Sequence, residues 1–269
     1  FFIVRWVVCL VVWCGMALWY WKTSLRQDET ADPELTRKME VFSAPGTLIF
    51  AFTFTAAAFD LLMSLDPTWF STIFGVYYFA GAMMASVAAL ILALMGLQHL
   101  GLLPSVNTEH YHDLGKFMFA FVIFWAYIAY SQYMLIWYGS LPAETPWLAD
   151  RGLSTSSANE SQYQLVALFL LFGHFVIPFL GLMSRHVKRH KAALAFWAMW
   201  LLVAHWIDVY WLVMPSFDAS RFTLGLTELG CGVGIGGLFL ASALRLAAGR
   251  SLVPTADPRL AESLAFRNM

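Results

Sequence analysis

Seven long apolar runs alternate with short polar segments along the chain. The runs cover residues 1–21, 46–65, 73–97, 114–138, 163–184, 192–214 and 226–247. A hydrocarbon layer about 30 Å thick needs roughly 20 apolar residues per helix, so each run is long enough for one span. The runs show no strand alternation, and Leu, Ala, Phe, Met and Trp dominate them. The pattern predicts an all-α integral membrane protein, with a transmembrane domain over 1–247 and a polar tail over 248–269.

Composition supports the same class. Of the 269 residues, 60% are hydrophobic and 12% are charged, against averages of about 45–50% and about 25% in soluble domains. Seven spans leave little room for a soluble domain. The first run starts at Phe1 with no Met or basic segment before it, so it lacks the pattern of a signal peptide. We expect further chain, and further spans, upstream of it.

The distribution of Lys and Arg predicts the orientation of the spans. Basic residues concentrate in the segments 22–45 and 185–191, in the C-terminal tail and at Lys116 beside the loop 98–113. The loops on the opposite side hold only Arg151 and Arg221. The positive-inside rule therefore places the first group of loops and the C-terminus in the cytoplasm. Phe1 then starts on the outer side of the membrane.

The three cysteines offer no ligand set for a metal cluster. Cys9, Cys14 and Cys231 form neither a CxxC nor a CxxCH motif. Covalent attachment of c-type haem and Cys-ligated zinc or iron–sulfur sites therefore lack their ligands here. We expect any metal cluster to belong to a partner.

Ionisable residues inside apolar runs are costly and mark proton or substrate pathways, and four of them are candidates here. They are Asp60 in the second span, His174 in the fifth, and His205 and Asp208 in the sixth. His205 and Asp208 are three residues apart and share a helix face, so the carboxylate can orient or charge the imidazole. Alternatively, neighbouring hydroxyl groups satisfy the hydrogen bonds of this His–Asp pair, and the pair serves only the specificity of packing. Pro178 lacks an amide proton and is predicted to free the carbonyl of His174.

Further candidates lie near the span ends. Asp66 precedes Pro67 and is either an outer relay group or the end of a helix at the water boundary. His112, Asp113 and Lys116 begin the fourth span and form either a protonatable inlet or a solvated helix start. Tyr130 belongs to a polar patch later in that span. Together with the four groups inside the spans, these residues predict a ladder of proton-path groups at graded depths.

Three stretches, which together contain most of these residues, resemble the F subunit of bacterial alternative complex III, a quinol:electron-acceptor oxidoreductase. They read DLLMSLDPTWFSTIFGVYYFAGA, HDLGKFMFAFVIFWAYIAYSQYMLIWYGSLPAETPW and HWIDVYWLVMP. The resemblance covers roughly residues 46–247 and extends distantly to polysulfide-reductase-type membrane subunits. It implies a ten-helix fold of two four-helix bundles with two flanking helices. The seven spans seen here would be the last seven of the ten.

The resemblance also implies a setting. It is the bacterial inner (plasma) membrane, in a respiratory or photosynthetic quinol:cytochrome c (or other acceptor) oxidoreductase. The implied partners are a homologous C-type membrane subunit with the principal quinol site, an iron–sulfur subunit, haem c subunits, small membrane subunits and lipids, with no nucleic acid. The F subunit is an accessory element without its own redox centre and is suspected of translocating protons, although it is often labelled quinone-binding. Quinone contact by this chain is left open, and haem c and iron–sulfur clusters are expected in the partners.

Two other functional classes remain open from sequence. His174 and His205 lie at similar depth on adjacent spans, as the axial ligands of a haem b would. A stand-alone secondary transporter would show inverted repeats and broken helices at the midplane, and no repeat is visible across the seven runs.

Overall fold

A computed structural model describes residues 1–153, 162–218 and 225–268, and this part of the chain is helical between short turns. Seven of its helical segments are long and apolar enough to cross a membrane, which confirms the all-α fold class. Arg221, used above for orientation, lies outside the described residues. The helices are α1 Phe2–Thr30, α2 Pro33–Leu61, α3 Phe74–His99, α4 Thr108–Gly139, α5 Thr145–Asp150, α6 Tyr163–Phe169, α7 Ile177–Met183, α8 Arg185–Arg189, α9 Lys191–Val213, α10 Leu226–Ala247 and α11 Leu260–Ala265.

The first two spans form a helical hairpin with a two-residue link. The polar segment 22–45 is helical on both sides of that link, because α1 extends to Thr30 and α2 begins at Pro33. Ala31 ends α1 in the left-handed conformation, with φ at 53°. The Asp32 side chain then accepts a hydrogen bond from the Glu34 amide at 3.0 Å, which caps α2.

The spans from α3 to α9 form a four-helix bundle. α3 packs against α4 and α9, and the fifth span, which runs from α6 to α7, packs against α4 and α9. The α1–α2 hairpin joins the bundle through contacts of α2 with α3. We call one end of the bundle the Asp66 end (residues 62–73, 140–153 and 214–218). The opposite end is the Glu109 end (residues 99–110 and 184–191).

Two hydrophobic cores divide the bundle along its length. The core toward the Asp66 end is rich in aromatic side chains, including Trp69, Tyr77, Trp125, Trp147 and Trp211. The core toward the Glu109 end is largely aliphatic and fully buried, with Met84, Ile91, Met118, Val122, Leu194 and Leu201. A polar cluster at the junction of these cores would therefore contact aromatic side chains on one side and aliphatic side chains on the other.

The fifth span is interrupted at its middle by a π turn over Leu170–Val176. The Ile177 amide bonds to the Phe172 carbonyl in this wider register. The next carbonyl, of Gly173, would face the nitrogen of Pro178, which carries no hydrogen. The indole Nε1 of Trp200 on α9 donates to that carbonyl at 2.6 Å. Because of this register shift, the carbonyl that lacks a helical amide partner is that of Gly173, one residue before the His174 carbonyl that the sequence predicted.

Ion pairs and the C-terminal tail close the Glu109 end. Arg189 binds the Glu109 carboxylate through two hydrogen bonds, one of them 2.9 Å from Nη1 to Oε2. The bond to Glu109 raises the pKa of Arg189. Asn268 donates to Glu109 from its amide and from its side chain, both at 3.2 Å. The tail therefore folds back onto this end of the bundle.

Candidate functional site

The centre of the bundle holds one buried carboxylate, that of Asp208 on α9, which is 1% exposed. The Tyr77 hydroxyl on α3 donates to its Oδ1. The Trp125 indole on α4 donates to its Oδ2 at 3.1 Å. A buried carboxylate is costly unless hydrogen bonds compensate for the lost water, and here two donors from two other helices supply them. The arrangement fixes the position of both carboxylate oxygens.

His205 stands one helical turn before Asp208, as the spacing predicts. Its Nδ1 lies 3.6 Å from Asp208 Oδ2, an ion-pair distance when the imidazole is protonated. Gly81 on α3 makes room for this ring, since a Cβ there would lie 2.6 Å from His205 Cε1 and 2.8 Å from Nδ1. Any side chain at Gly81 would therefore displace the imidazole from Asp208.

His174 completes the cluster from the fifth span. It is fully buried within the π turn, and the part of the chain that the structure describes offers neither ring nitrogen a hydrogen-bond partner. Its ring centre lies 3.9 Å from that of Trp125, edge to face, and 6.2 Å from that of His205. π turns often occur at functional sites, and this one positions an imidazole beside the Asp208 pair.

The cluster of Tyr77, Trp125, His174, His205 and Asp208 can bind a proton and stabilise its charge. A proton on either imidazole is attracted to the Asp208 carboxylate, and at this burial the attraction is only weakly screened. The hydroxyl of Tyr77 can both donate and accept a hydrogen bond. These are the properties of a proton-relay site.

The Asp66 end of the bundle contains a buried arginine. Arg151 is 2% exposed and donates to the Leu212 carbonyl at 2.7 Å, the Trp147 carbonyl at 3.2 Å and Ser216 Oγ at 3.3 Å. Burial lowers the pKa of its guanidinium to about 10, an effect that the charge of Asp66 opposes. The side chain therefore keeps its positive charge at neutral pH, which makes this side of the cluster polar.

Asp60 does not contact the cluster but pairs with Arg5 on α1. Arg5 Nε donates to Asp60 Oδ2 at 2.6 Å, and Nη2 donates to the other carboxylate oxygen. A bidentate guanidinium–carboxylate pair stabilises both charges within the apolar hairpin. This arrangement favours a structural role for Asp60 over the relay role predicted from the sequence.

Asp66 closes the turn that follows α2. Its Oδ1 accepts from the Thr68 amide at 3.1 Å and from the Thr68 hydroxyl at 2.8 Å. This geometry corresponds to the alternative of a helix end at the water boundary. Tyr130, also predicted on the path, is 63% exposed on the outer side of α4. The structure therefore places neither residue in contact with Asp208.

The predicted inlet lies at the Glu109 end. His112 is buried there, while Asp113 pairs with Lys116 at 2.6 Å on the surface. Lys116 also donates to the Asn268 side chain. The aliphatic core lies between these residues and the central cluster. The ladder predicted across the whole bundle is thus interrupted by a layer of apolar side chains in this conformation.

The sequence reasoning missed Tyr77, Trp125 and Gly81, which hold the central carboxylate and imidazole. Tyr77 and Gly81 are four residues apart on α3 and share a face. A Tyr hydroxyl one turn from a Gly inside a membrane span is a signal for a polar contact, although it does not identify the partner. The indole of Trp125 gave no comparable signal, because Trp is also common at membrane interfaces.

The arrangement of the cluster does not suit a metal ion or a haem. Across residues 1–153, 162–218 and 225–268, no group of three or more His, Cys, Asp or Glu side chains is arranged to hold a metal ion. A haem b between His174 and His205 would need space beside both rings. Trp125 occupies the neighbourhood of His174, and the Gly81 backbone abuts His205. The pair does not fit a porphyrin in this packing.

A scan against models of protein families gives no match, and a search of curated proteins gives no match either.

Proposed function

We propose that this chain is an accessory membrane subunit of a quinol oxidoreductase complex and that it carries protons through the Asp208 cluster. The observation that carries the proposal is the buried Asp208 carboxylate, held by Tyr77 and Trp125 and flanked by His205 and His174. An ionisable group at membrane depth is costly to bury, and such groups commonly mark proton or substrate pathways. The resemblance in three stretches of sequence supports the choice of complex.

The same proposal includes the setting that the resemblance implies. The chain would supply the last seven helices of a ten-helix fold in the bacterial plasma membrane, with its C-terminus in the cytoplasm. It would have no redox centre of its own. Its partners would be the C-type membrane subunit, the iron–sulfur and haem c subunits and the small membrane subunits of the complex. The four-helix bundle of α3 to α9 is compatible with half of such a fold.

The asymmetry of the two cores suggests which side exchanges protons with Asp208. Toward the Asp66 end lie the Tyr77 hydroxyl and the charged Arg151. Toward the Glu109 end lies the aliphatic layer that includes Met118 and Leu201. A proton pump must close one side of its site at any time, and this packing closes the Glu109 side. We infer that, in the conformation described here, Asp208 exchanges protons with the Asp66 end. The distribution of basic residues along the sequence makes this end the outer side of the membrane.

The Tyr77 hydroxyl offers a direct test with a matched control. In the assembled complex in proteoliposomes, Tyr77→Phe should lower the protons translocated per quinol oxidised by about tenfold, since the relay loses a hydroxyl that can give and accept a proton. Quinol oxidation itself should change less than about twofold. Tyr78→Phe is the control, because the Tyr78 ring stacks on Phe54 and the hydroxyl that donates to Asp208 is that of Tyr77. Equal proton yields in both variants and in the parent complex would contradict the proposal.

A further inference from the structure

A pocket lies between the end of α1 and the end of α10, together with the segment that follows α10. Its volume is about 460 Å³, within the range of roughly 300–1,000 Å³ that is typical of small-molecule sites. Trp21, Ser24 and Asp28 line it from α1, and their spacing of three and four residues places them on one helix face. Leu246 and Arg250 line it from the other side. A Trp beside basic residues is typical of the membrane–water interface, so the pocket lies at the depth of lipid headgroups.

The segment after α10 turns back toward α1 and closes one side of the pocket. Gly249 permits the turn, with φ at 71° in the left-handed region that favours glycine. Further along, Oδ1 of Asp28 accepts hydrogen bonds from the Ala256 amide at 3.0 Å and from the Thr255 hydroxyl at 3.4 Å. These bonds attach the tail to α1, and Arg250 is thereby held at the same pocket as Asp28.

Two opposite charges line this pocket without pairing to each other. The Arg250 guanidinium lies over the Trp21 ring, 4.4 Å from its centre. A cation–π contact uses none of the N–H groups, and within the described residues no acceptor is bonded to this side chain. Oδ2 of Asp28 likewise accepts no hydrogen bond from the described part of the chain. The pocket thus offers donors suited to a phosphate and one carboxylate oxygen suited to a cation.

A zwitterion is the ligand that matches both charges. An anionic headgroup would be attracted by Arg250 but repelled by Asp28, whereas a headgroup with a phosphate and an ammonium would satisfy both. A primary ammonium carries N–H donors for the carboxylate, and the quaternary ammonium of choline carries none. Leu18 and Leu246 line the same pocket and are exposed, which gives acyl chains an apolar path into the hydrocarbon layer.

We propose that this pocket binds a phospholipid with an ethanolamine headgroup. Its phosphate binds the Arg250 guanidinium, its ammonium donates to Asp28 Oδ2, and its acyl chains pass Leu18 and Leu246. Within the described chain no residue of α10 is buried, so the lipid adds a contact that holds the end of this helix beside α1. The pocket shares no residue with the Asp208 cluster, and the proposal does not depend on the proposed function.

The test uses phosphatidylethanolamine that carries a photoreactive diazirine on its acyl chain, close to the glycerol. The full-length protein, purified with its associated subunits, is placed in maltoside micelles that contain a small fraction of this probe. After irradiation, labelled peptides are identified by mass spectrometry. Label should concentrate in the residues 17–28 and 243–254 that line the pocket. Labelling of these segments no stronger than that of other segments at the same depth would overturn the proposal.

Two substitutions remove one charge each and have matched controls. Asp28→Asn keeps an acceptor for the Ala256 amide and should weaken the apparent affinity for the probe by about 5- to 10-fold, the value of one charge-assisted hydrogen bond. Asp32→Asn is its control, because Asp32 caps α2 outside the pocket and asparagine caps equally well. Arg250→Gln should cause a similar loss, and Arg245→Gln, on α10 but outside the pocket, should not. Thermal unfolding shows whether each variant is folded, and equal losses in the control variants would overturn the assignment.

Competition identifies the headgroup. Unlabelled phosphatidylethanolamine should displace the probe, while phosphatidylcholine with the same chains should compete about 5- to 10-fold less well. In Asp28→Asn this difference should fall below about twofold, a change that a purely structural role of Asp28 would not produce. Displacement by phosphatidylglycerol as strong as by phosphatidylethanolamine would identify a site for anionic lipid and overturn the assignment. Glycerophosphoethanolamine, which has the headgroup without the chains, should not displace the probe at equal concentration, and displacement by it would show that the pocket takes a soluble ligand instead.

Discussion

Replacing Asp208 with asparagine should lower the number of protons that the assembled complex translocates per quinol oxidised by at least about tenfold. Asparagine has almost the same shape, and its Oδ1 can still accept a bond from Tyr77 or Trp125. The asparagine amide does not bind a proton, and it carries no negative charge that would attract a proton on His205. Quinol oxidation, which we assign to a partner subunit, should stay within about twofold of the parent rate. Proton release is measured with a pH-sensitive dye in proteoliposomes during quinol oxidation.

The control for this variant is Asp66→Asn. That carboxylate closes the turn after α2 through Thr68, so the substitution carries the same chemical change at a place outside the cluster. Its proton yield should stay close to that of the parent complex. Thermal unfolding of both variants shows whether the fold is kept. If Asp208→Asn translocates as many protons as Asp66→Asn, the central carboxylate is not a relay.

Removal of Arg5 should lower the amount of correctly inserted chain severalfold. The variant Arg5→Leu leaves the Asp60 carboxylate without its guanidinium partner in an apolar hairpin. An unpaired charge inside a membrane span is costly. The double variant Arg5→Leu with Asp60→Leu removes both charges and should restore most of the yield. Yield is measured as the monodisperse fraction of a fluorescent fusion after gentle solubilisation.

The single variant Asp60→Asn separates the structural role from the relay role that the sequence predicted. With Arg5 still present, the asparagine can accept hydrogen bonds but gives no counter-charge. We expect a lower yield of protein and, in the protein that assembles, an unchanged number of protons per quinol. A loss of proton translocation with a normal yield of protein would contradict this expectation and show that Asp60 is a relay group. Equal yields for Arg5→Leu and the double variant would show that the ion pair has no role in insertion.

The sequence could predict those features that depend on neighbours along the helix. The seven spans follow from apolar runs of sufficient length, and the pairing of His205 with Asp208 follows from a separation of three residues. The break in the fifth span was indicated by Pro178, but the register of the break was not. A π turn shifts every later contact by one residue, and nothing in the pattern of apolar residues distinguishes it from a kinked α-helix.

The rest of the site depends on contacts between distant parts of the chain. The Tyr77 hydroxyl reaches a carboxylate 131 residues away, and the Trp125 indole reaches the same group from a distance of 83 residues. Arg5 and Asp60 are separated by 55 residues. In a membrane span most faces are apolar, so periodicity does not show which side faces the bundle. For this reason Tyr130 was predicted on the path, whereas the structure exposes it and buries Gln132.

The central claim is that Asp208 changes its protonation during turnover, and infrared difference spectroscopy of the assembled complex tests it most directly. Spectra recorded between the resting and the quinol-reduced states should contain a carboxyl C=O band that shifts in deuterated water. This band should be lost in Asp208→Asn and kept in Asp66→Asn. A band of unchanged size in Asp208→Asn would show that Asp208 does not change its protonation during turnover.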